Sequence, residues 1–417
     1  MAMAERARAA AAEAENAQYG PGLHLVFRIV AHLSASESVG AAGRTEADME
    51  RPIFKPIGTP VAQLDTPALV VDLTLVEHNI ATLHAFFQQR EAKVRPHVTA
   101  HRCPALAHKQ LAAGGTVGGI GVTTVGEAEV FADHGFDHIF VANEVVTPQK
   151  IRRLCALARR ASMIVAVDNP ANIRDLSEAA GAHSVTLQVV VDIHTRLQRC
   201  GVAPGQPAVD LARVVQAAPH LEFAGLMTYE GPILTPDPEA LAAESRQCIQ
   251  QVLDTRELVE RAGLPVRMVS VGNTSNYEIA GAMAGVTEVP AGAYALLDAR
   301  YDPYRPQFTP AARVMTTVTS RPEPGTAIAD AGQKAVSVDL GLPVAADLSG
   351  ATVTSLSAEH CRLRLEGAAD GTLRLGNKVW LTPYDIGTCA NLYDYIHAVR
   401  DGRLEAVWRV AARGQYR

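Results

Sequence analysis

The 417-residue sequence has no run of about 18 apolar residues, the length a membrane-spanning helix needs. Its nearest approach, "LHLVFRIVAHL" (23–33), is short and carries Arg28. It also sits after "YGPG" rather than near Met1, which makes a secretory leader a poor fit. Paired cysteines are missing too. Cys103, Cys155, Cys200, Cys248, Cys361 and Cys389 are scattered with no CxxC spacing, which fits reduced thiols in a cytoplasmic protein better than a disulfide framework. There is no long basic run and the net charge is −6, so the clustered Lys and Arg that nucleic-acid phosphates require are absent. No internal repeat stands out.

What remains is an ordinary globular balance, 48% hydrophobic and 20% charged, with room for a barrel and a second domain. Residues 1–48 are rich in Ala, Glu and Arg with little pattern and read as a disordered or loosely helical extension. From Thr66 onward, short β-branched runs alternate with amphipathic Ala- and Leu-rich stretches. The strand candidates are 68–73, 93–98, 118–124, 138–143, 163–168, 187–193, 223–229 and 267–272. They are nearly continuous apolar runs, as strands covered on both faces are. The expected fold is α/β: a (β/α)8 TIM-type barrel over 49–300, with a doubly wound open sheet as the alternative. Near residue 300 the helical pattern stops. Runs such as "ARVMTTVTSR" and "KVWLTPYD", divided by Pro and Gly turns, predict an all-β domain over 301–417.

In a barrel of this kind the chemistry lies at the C-terminal strand ends. Four such ends carry polar groups, and a fifth polar cluster lies in the β domain. In "VRPHVTAHRCP", His97, Thr99 and His101 fall two apart and share one side of an extended chain; the pair of imidazoles could hold a metal or supply a general base. In "VVDIHTRLQRCGV", His194, Arg196 and Arg199 follow a strand ending at Asp192 and suit an anionic group. Tyr229 and Glu230 end a third strand. Gly272 with Asn273, Thr274, Ser275 and Asn276 forms a turn whose N–H groups could meet a phosphate. In the β domain, Asp385, Cys389 and Asn391, with His360, could line a cleft between domains.

These residues carry a resemblance. Stretches such as "RPHVTAHRCPALAHKQLAAGG", "VVDIHTRLQRCGV", "TEVPAGAYALLDARY", "DAGQKAVSVD" and "NLYDYIHAVRDGRLEAVWRVAARG" resemble, in order, the D-threonine aldolase and D-serine dehydratase family, whose members have an alanine racemase-type barrel and a β domain. The resemblance covers about residues 57–413. It implies a pyridoxal phosphate (PLP) enzyme of fold type III, and His97, His101, Arg199, Tyr277 and His360 match the family pattern. Four positions depart from it. The family's imine-forming lysine falls on Thr99, and a hydroxyl cannot form an imine. At the family's metal site the aligned residues are Asp385 and Gly387. The glycine-rich turn before Tyr277 has become Asn273–Asn276, and a family histidine is Pro232.

Three functions follow as expectations. The first is a metal-dependent lyase, aldolase- or dehydratase-like, acting on a small hydroxy or amino acid without an internal PLP imine. A divalent metal would be held by residues from His97, His101, His360, Asp385 and Cys389, and Arg199 and Arg196 would hold a carboxylate. The second retains PLP, bound non-covalently or through another lysine, of which Lys109, Lys150 and Lys334 are the choices. The third is a ligand-binding relative that has lost catalysis. The partner is a small molecule rather than nucleic acid or membrane, and the resemblance implies a homodimer.

Overall fold

The structure, a computed structural model, describes residues 54–417. The extension expected over 1–48 lies outside the described residues. Among the described residues the first strand is β1 (Ala68–Asp72), and a parallel barrel of eight strands follows: β2 (Lys93–Pro96), β3 (Ile120–Val122), β4 (His138–Glu144), β5 (Ser162–Val167), β6 (Leu187–Asp192), β7 (Leu221–Met227), β8 (Met268–Ser270) and β9 (Glu288–Ala291). The spatial order is β2-β9-β8-β7-β6-β5-β4-β3, and single parallel bridges, Val94 to Thr116 and His97 to Gly121, link the two ends.

Alternation along these strands builds two apolar layers. Phe140, Ile164, Ala166, Val190, Ala224, Met227 and Met268 pack together inside the barrel. Their neighbours Ile139, Val141, Val165, Val189 and Val191 belong to the larger core that the helices cover. The helices start where the sequence can satisfy their first N–H groups. Thr124 Oγ1 accepts from Glu127 N, Asn169 Oδ1 from Ala171 N and Asp237 Oδ1 from Glu239 N, and Pro104, Pro148, Pro170 and Pro238 fall in first turns.

Two strand expectations need correction. The run at 68–73 is not the first barrel strand. It pairs antiparallel with β10 (Ala312–Ser320) and parallel with β16 (Tyr395–Arg400), in the sheet of the second domain. The eighth barrel strand is β9, the unassigned "EVPA", which pairs with β2 in register from Lys93↔Glu288 to Pro96↔Ala291. The second sheet has nine strands. Besides β1, β10 and β16 these are β11 (Thr326–Ala329), β12 (Val344–Ala346), β13 (Ala351–Leu356), β14 (Cys361–Leu365), β15 (Lys378–Thr382) and β17 (Arg403–Arg409). No helix among the described residues is long and apolar enough to cross a membrane.

Candidate functional site

At the C-terminal end of the barrel lies a cavity of about 400 Å³. Its floor is Phe140, Met227 and Ser270, and its walls come from the loops after β2, β6, β7, β8 and β9 and from residues 385–388 of the second domain. Beneath the floor, Arg95 and Glu288 form a two-pronged ion pair inside the barrel. Arg95 Nη2 meets Glu288 Oε2 at 2.6 Å and Arg95 Nε meets Oε1 at 2.8 Å. Ser270 Oγ donates to the same Oε1 at 2.9 Å, and the Arg95 guanidinium lies 5.7 Å from the Phe140 ring centroid.

His97 enters the cavity at the end of β2. Two glycines make its place: a Cβ on Gly121 would fall 2.9 Å from His97 Cδ2, and one on Gly292 would fall 2.2 Å from the His97 carbonyl oxygen. His97 Nδ1 and Thr99 Oγ1 are 2.7 Å apart, so the imidazole and the hydroxyl act as a unit, and both line the cavity. Burial, then Arg102 and Arg95, push the imidazole down to about 4, so it is neutral at pH 7.

His101 does not join them, contrary to expectation. After Pro96 the chain does not stay extended; Val98–Ala100 form one 3₁₀ turn that carries His101 into the core, where it has no exposure. There it belongs to a closed chain of hydrogen bonds. Cys103 N–H donates to His101 Nδ1 at 3.1 Å, which leaves the proton on Nε2 to donate to Gln110 Oε1 at 3.0 Å. Gln110 Nε2 donates to the Tyr294 hydroxyl at 2.9 Å, and that hydroxyl donates to His84 Nε2 at 2.7 Å. His84 Nδ1–H ends the chain on the Gly114 carbonyl at 2.7 Å. Every member is satisfied only while both imidazoles are neutral. Burial pushes His101 down to about 4, against an ordinary 6.5.

Because the folded-state value is depressed, this contribution to stability is complete above pH 6.5 and is lost as the pH falls towards 4. Urea unfolding should show a loss on the order of 2 kcal/mol from His101 between pH 7 and pH 5. A His101→Gln chain, which has no proton to gain there, should show a flatter fall.

The metal set expected from sequence is not assembled. His360 is exposed in the turn between β13 and β14. Cys389 is buried, donates its thiol to the Ala335 carbonyl at 3.6 Å, and is pushed up to about 12 by burial, which disfavours the thiolate a metal would need. Asp385 does line the cavity, but its Oδ1 caps the short helix Ile386–Ala390 by accepting from Thr388 N at 2.8 Å and Thr388 Oγ1 at 2.9 Å. Among the described residues, no three His, Cys, Asp or Glu side chains are placed to hold a metal ion.

Of the expected anion-binding residues, Arg199 lines the cavity, with its guanidinium 5.5 Å from the Tyr229 ring centroid. Arg196 is turned away, paired with Glu244 and donating to the Glu230 carbonyl at 3.1 Å. His194 lines a small neighbouring recess beside Asp192 and Cys200. Tyr229, Asn273 and Thr274 line the cavity. Gly272, Ser275 and Asn276 complete the turn behind them, and Gly272 has φ +85°, with a Cβ there falling 2.6 Å from Ala280 Cβ. Tyr277 packs against Phe86, Phe87 and Phe308 away from the cavity. Among the described residues, no lysine lines the cavity. Lys109 pairs with Glu77 at 3.0 Å, and Lys334 is exposed and paired with Glu359.

Sequence reasoning missed Asp298, Arg300, Tyr301 and Arg102, all of which line the cavity. Arg102 is held by Glu127 at 3.2 Å and by the Gly387 carbonyl. Among the described residues, neither Arg199 nor Arg300 has a carboxylate within ion-pairing distance. Asp298 is only 1% exposed. Its Oδ1 accepts from Tyr301 N at 3.1 Å and its Oδ2 from Ile386 N at 3.1 Å, which ties the barrel loop to the second domain. Burial pushes its carboxyl up to about 7, and nearby Asp385 raises it further, partly opposed by the two N–H donors. Asp298, Arg300 and Tyr301 all lie in "TEVPAGAYALLDARY", one of the stretches that carry the resemblance, but nothing in that stretch gave any of them a role.

Residues 71–298 match the family described as alanine racemase, N-terminal domain, and residues 311–399 match a serine dehydratase domain. The chain is 34% identical over 362 residues to a D-threonine aldolase from Arthrobacter sp., covering 86% of this chain and 95% of that protein. It is 33% identical over 369 residues to a 3-hydroxy-D-aspartate aldolase from Paracoccus denitrificans, covering 86% and 94%. The crystal structure of a D-threonine aldolase from Filomicrobium marinum superposes with a TM-score of 0.84 at 36% identity, over 87% of this chain and all of that one.

Proposed function

The chain belongs to the D-threonine aldolase-like enzymes of the alanine racemase family, which are lyases, and on that premise we propose a lyase that cleaves a small hydroxy or amino acid in the cavity above β2–β9. The observation that carries the reading is Asp298, a buried carboxyl open only to that cavity and poised near neutrality. A general acid or base works best with a pKa near the working pH, and Asp298 meets that condition where His97, held neutral down to about 4, does not.

The two curated relatives described above are named as aldolases, so the step is written as a retro-aldol cleavage. Asp298 takes the proton of the substrate β-hydroxyl. The O–H electrons form a carbonyl, the Cα–Cβ bond breaks, and its electrons pass to Cα. They spread into the substrate carboxylate, held by Arg199 and Arg300. The proton then returns from Asp298 to Cα, so the balance closes without an oxidant or reductant. The neutral His97–Thr99 pair orients the hydroxyl.

PLP supplies an electron sink in enzymes that carry it. The residues of this cavity do not fit its covalent attachment, since Thr99 stands at the lysine position and no lysine reaches the cavity. Nor do they fit a protein-chelated divalent metal: among the described residues only Asp298 and Asp385 offer carboxylates there, one oxygen of Asp385 is spent on Thr388, and His97 Nδ1 is spent on Thr99. The six free thiols support a reducing, cytoplasmic setting, and the resemblance supports a homodimer.

The test is a panel of β-hydroxy acids and β-hydroxy amino acids, assayed for release of the aldehyde. Arg199→Ala and Arg300→Ala should each raise KM about 10-fold or more, the worth of one charge-assisted bond to a carboxylate. If neither variant changes KM, the carboxylate does not bind there.

A further inference from the structure

We infer that the turn after β8 is closed to phosphate by the chain's own Glu230, Asn273 and Asn276, so the ligand of the adjoining cavity carries no phosphate group. This goes beyond the lyase reading, which would stand with the turn open or closed.

Phosphate recognition by a backbone turn needs several N–H groups free and aimed at one point. Here four of them are already used. Asn273 N–H donates to Asn276 Oδ1 at 2.9 Å, and Ser275 N–H donates to Asn273 Oδ1 at 2.8 Å. Asn276 N–H donates to the Asn273 carbonyl at 3.3 Å, and Gly272 N–H faces Glu230 Oε2 at 3.4 Å. The two asparagine side chains turn their remaining donors inward as well. Asn276 Nδ2 donates to Glu230 Oε1 at 2.7 Å and Asn273 Nδ2 to the same oxygen at 3.2 Å.

Glu230 therefore takes the turn's donors from within; burial raises its pKa, and the hydrogen bonds from Asn276 and Gly272 oppose that shift. It has no exposure, and its carboxylate is bound wholly by the turn. A phosphate placed beside it would find the turn's donors already turned to a buried carboxyl, and the charge on that carboxyl would repel it. The helix that follows, Tyr277–Ala280, has four residues, too short for an appreciable dipole to offset that repulsion.

PLP and pyridoxal share an aldehyde and differ at the phosphate-bearing carbon, so the change in their ratio of affinities when the turn is opened, in which pyridoxal's hemiacetal closure cancels, reads the turn. Thr99→Lys, a change at the cavity wall, gives both a lysine to condense with, losing water. On the full Thr99→Lys chain the two should bind with dissociation constants within about threefold once that closure is allowed for, measured by absorbance titration and confirmed by borohydride trapping. On the same chain with Asn273→Gly, Asn276→Gly and Glu230→Gln, PLP should bind at least about 10-fold tighter than pyridoxal, as expected when charge-assisted bonds to phosphate become available. A preference of about 10-fold or more for PLP in Thr99→Lys alone overturns the inference. So does the absence of a preference in the opened, folded chain. If circular dichroism shows that the opened chain does not fold, the Thr99→Lys arm decides by itself.

Discussion

Asp298→Asn should lower turnover by about 100- to 10,000-fold, the usual span for loss of a positioned general acid–base group. The replacement is nearly the same size and keeps an oxygen for one of the two N–H groups that Asp298 now accepts, from Tyr301 or Ile386. The other is left facing an NH2 group, which costs about 1–3 kcal/mol of stability. Melting temperature should therefore fall modestly while activity nearly vanishes. The pH dependence separates the two effects. In the parent chain kcat/KM should rise through a limb near pH 7 as Asp298 ionises, and the residual activity of Asp298→Asn should lack that limb. A variant that is folded, slow and still shows the limb would assign the ionisation to another group.

The second large effect is on stability. Glu288→Ala should destabilise the fold by about 3–5 kcal/mol, because it leaves the Arg95 guanidinium charged, buried and without its carboxylate. Both side chains sit inside the barrel with exposures of 2% and 4%, so water cannot take the missing partner's place. Replacing both residues, Arg95→Met with Glu288→Met, removes the charges together and should recover most of the loss. Chemical denaturation of the three chains checks this. If Glu288→Ala unfolds within about 1 kcal/mol of the parent, the pair is solvated in a way its burial does not allow. The same pair supports Ser270 and Phe140 at the cavity floor, so Glu288→Ala should also depress activity.

The barrel was legible in sequence because its strands are long apolar runs with β-branched residues, and the change near residue 300 marked the second domain. The two strand errors share a cause. β1 reads "ALVVD", as apolar as any barrel strand, since it too is covered on both sides, though in a different sheet. β9 reads "EVPA", where a buried charge and a proline hide a strand that only its pairing with β2 reveals. The site was half legible. His97, Thr99, Arg199, Tyr229 and Asp385 meet in one cavity because each follows a strand end or faces one. His101 was misread because period-two reasoning holds only while the chain stays extended, and a single 3₁₀ turn at 98–100 reverses its direction. Asp298 lies in a stretch that carries the resemblance, but its role was not legible because its environment is made by contacts distant in sequence, with residue 386 above all.

The most direct test is turnover by chain freed of any carbonyl cofactor with hydroxylamine, dialysed against a chelator, and analysed for metal and for visible absorbance. The expected result is release of an aldehyde from a β-hydroxy acid or β-hydroxy amino acid by colourless, metal-free protein, at a rate unchanged by added PLP. Activity that appears only when PLP is restored, with a pyridoxyl-lysine peptide from the barrel after borohydride reduction, would contradict it.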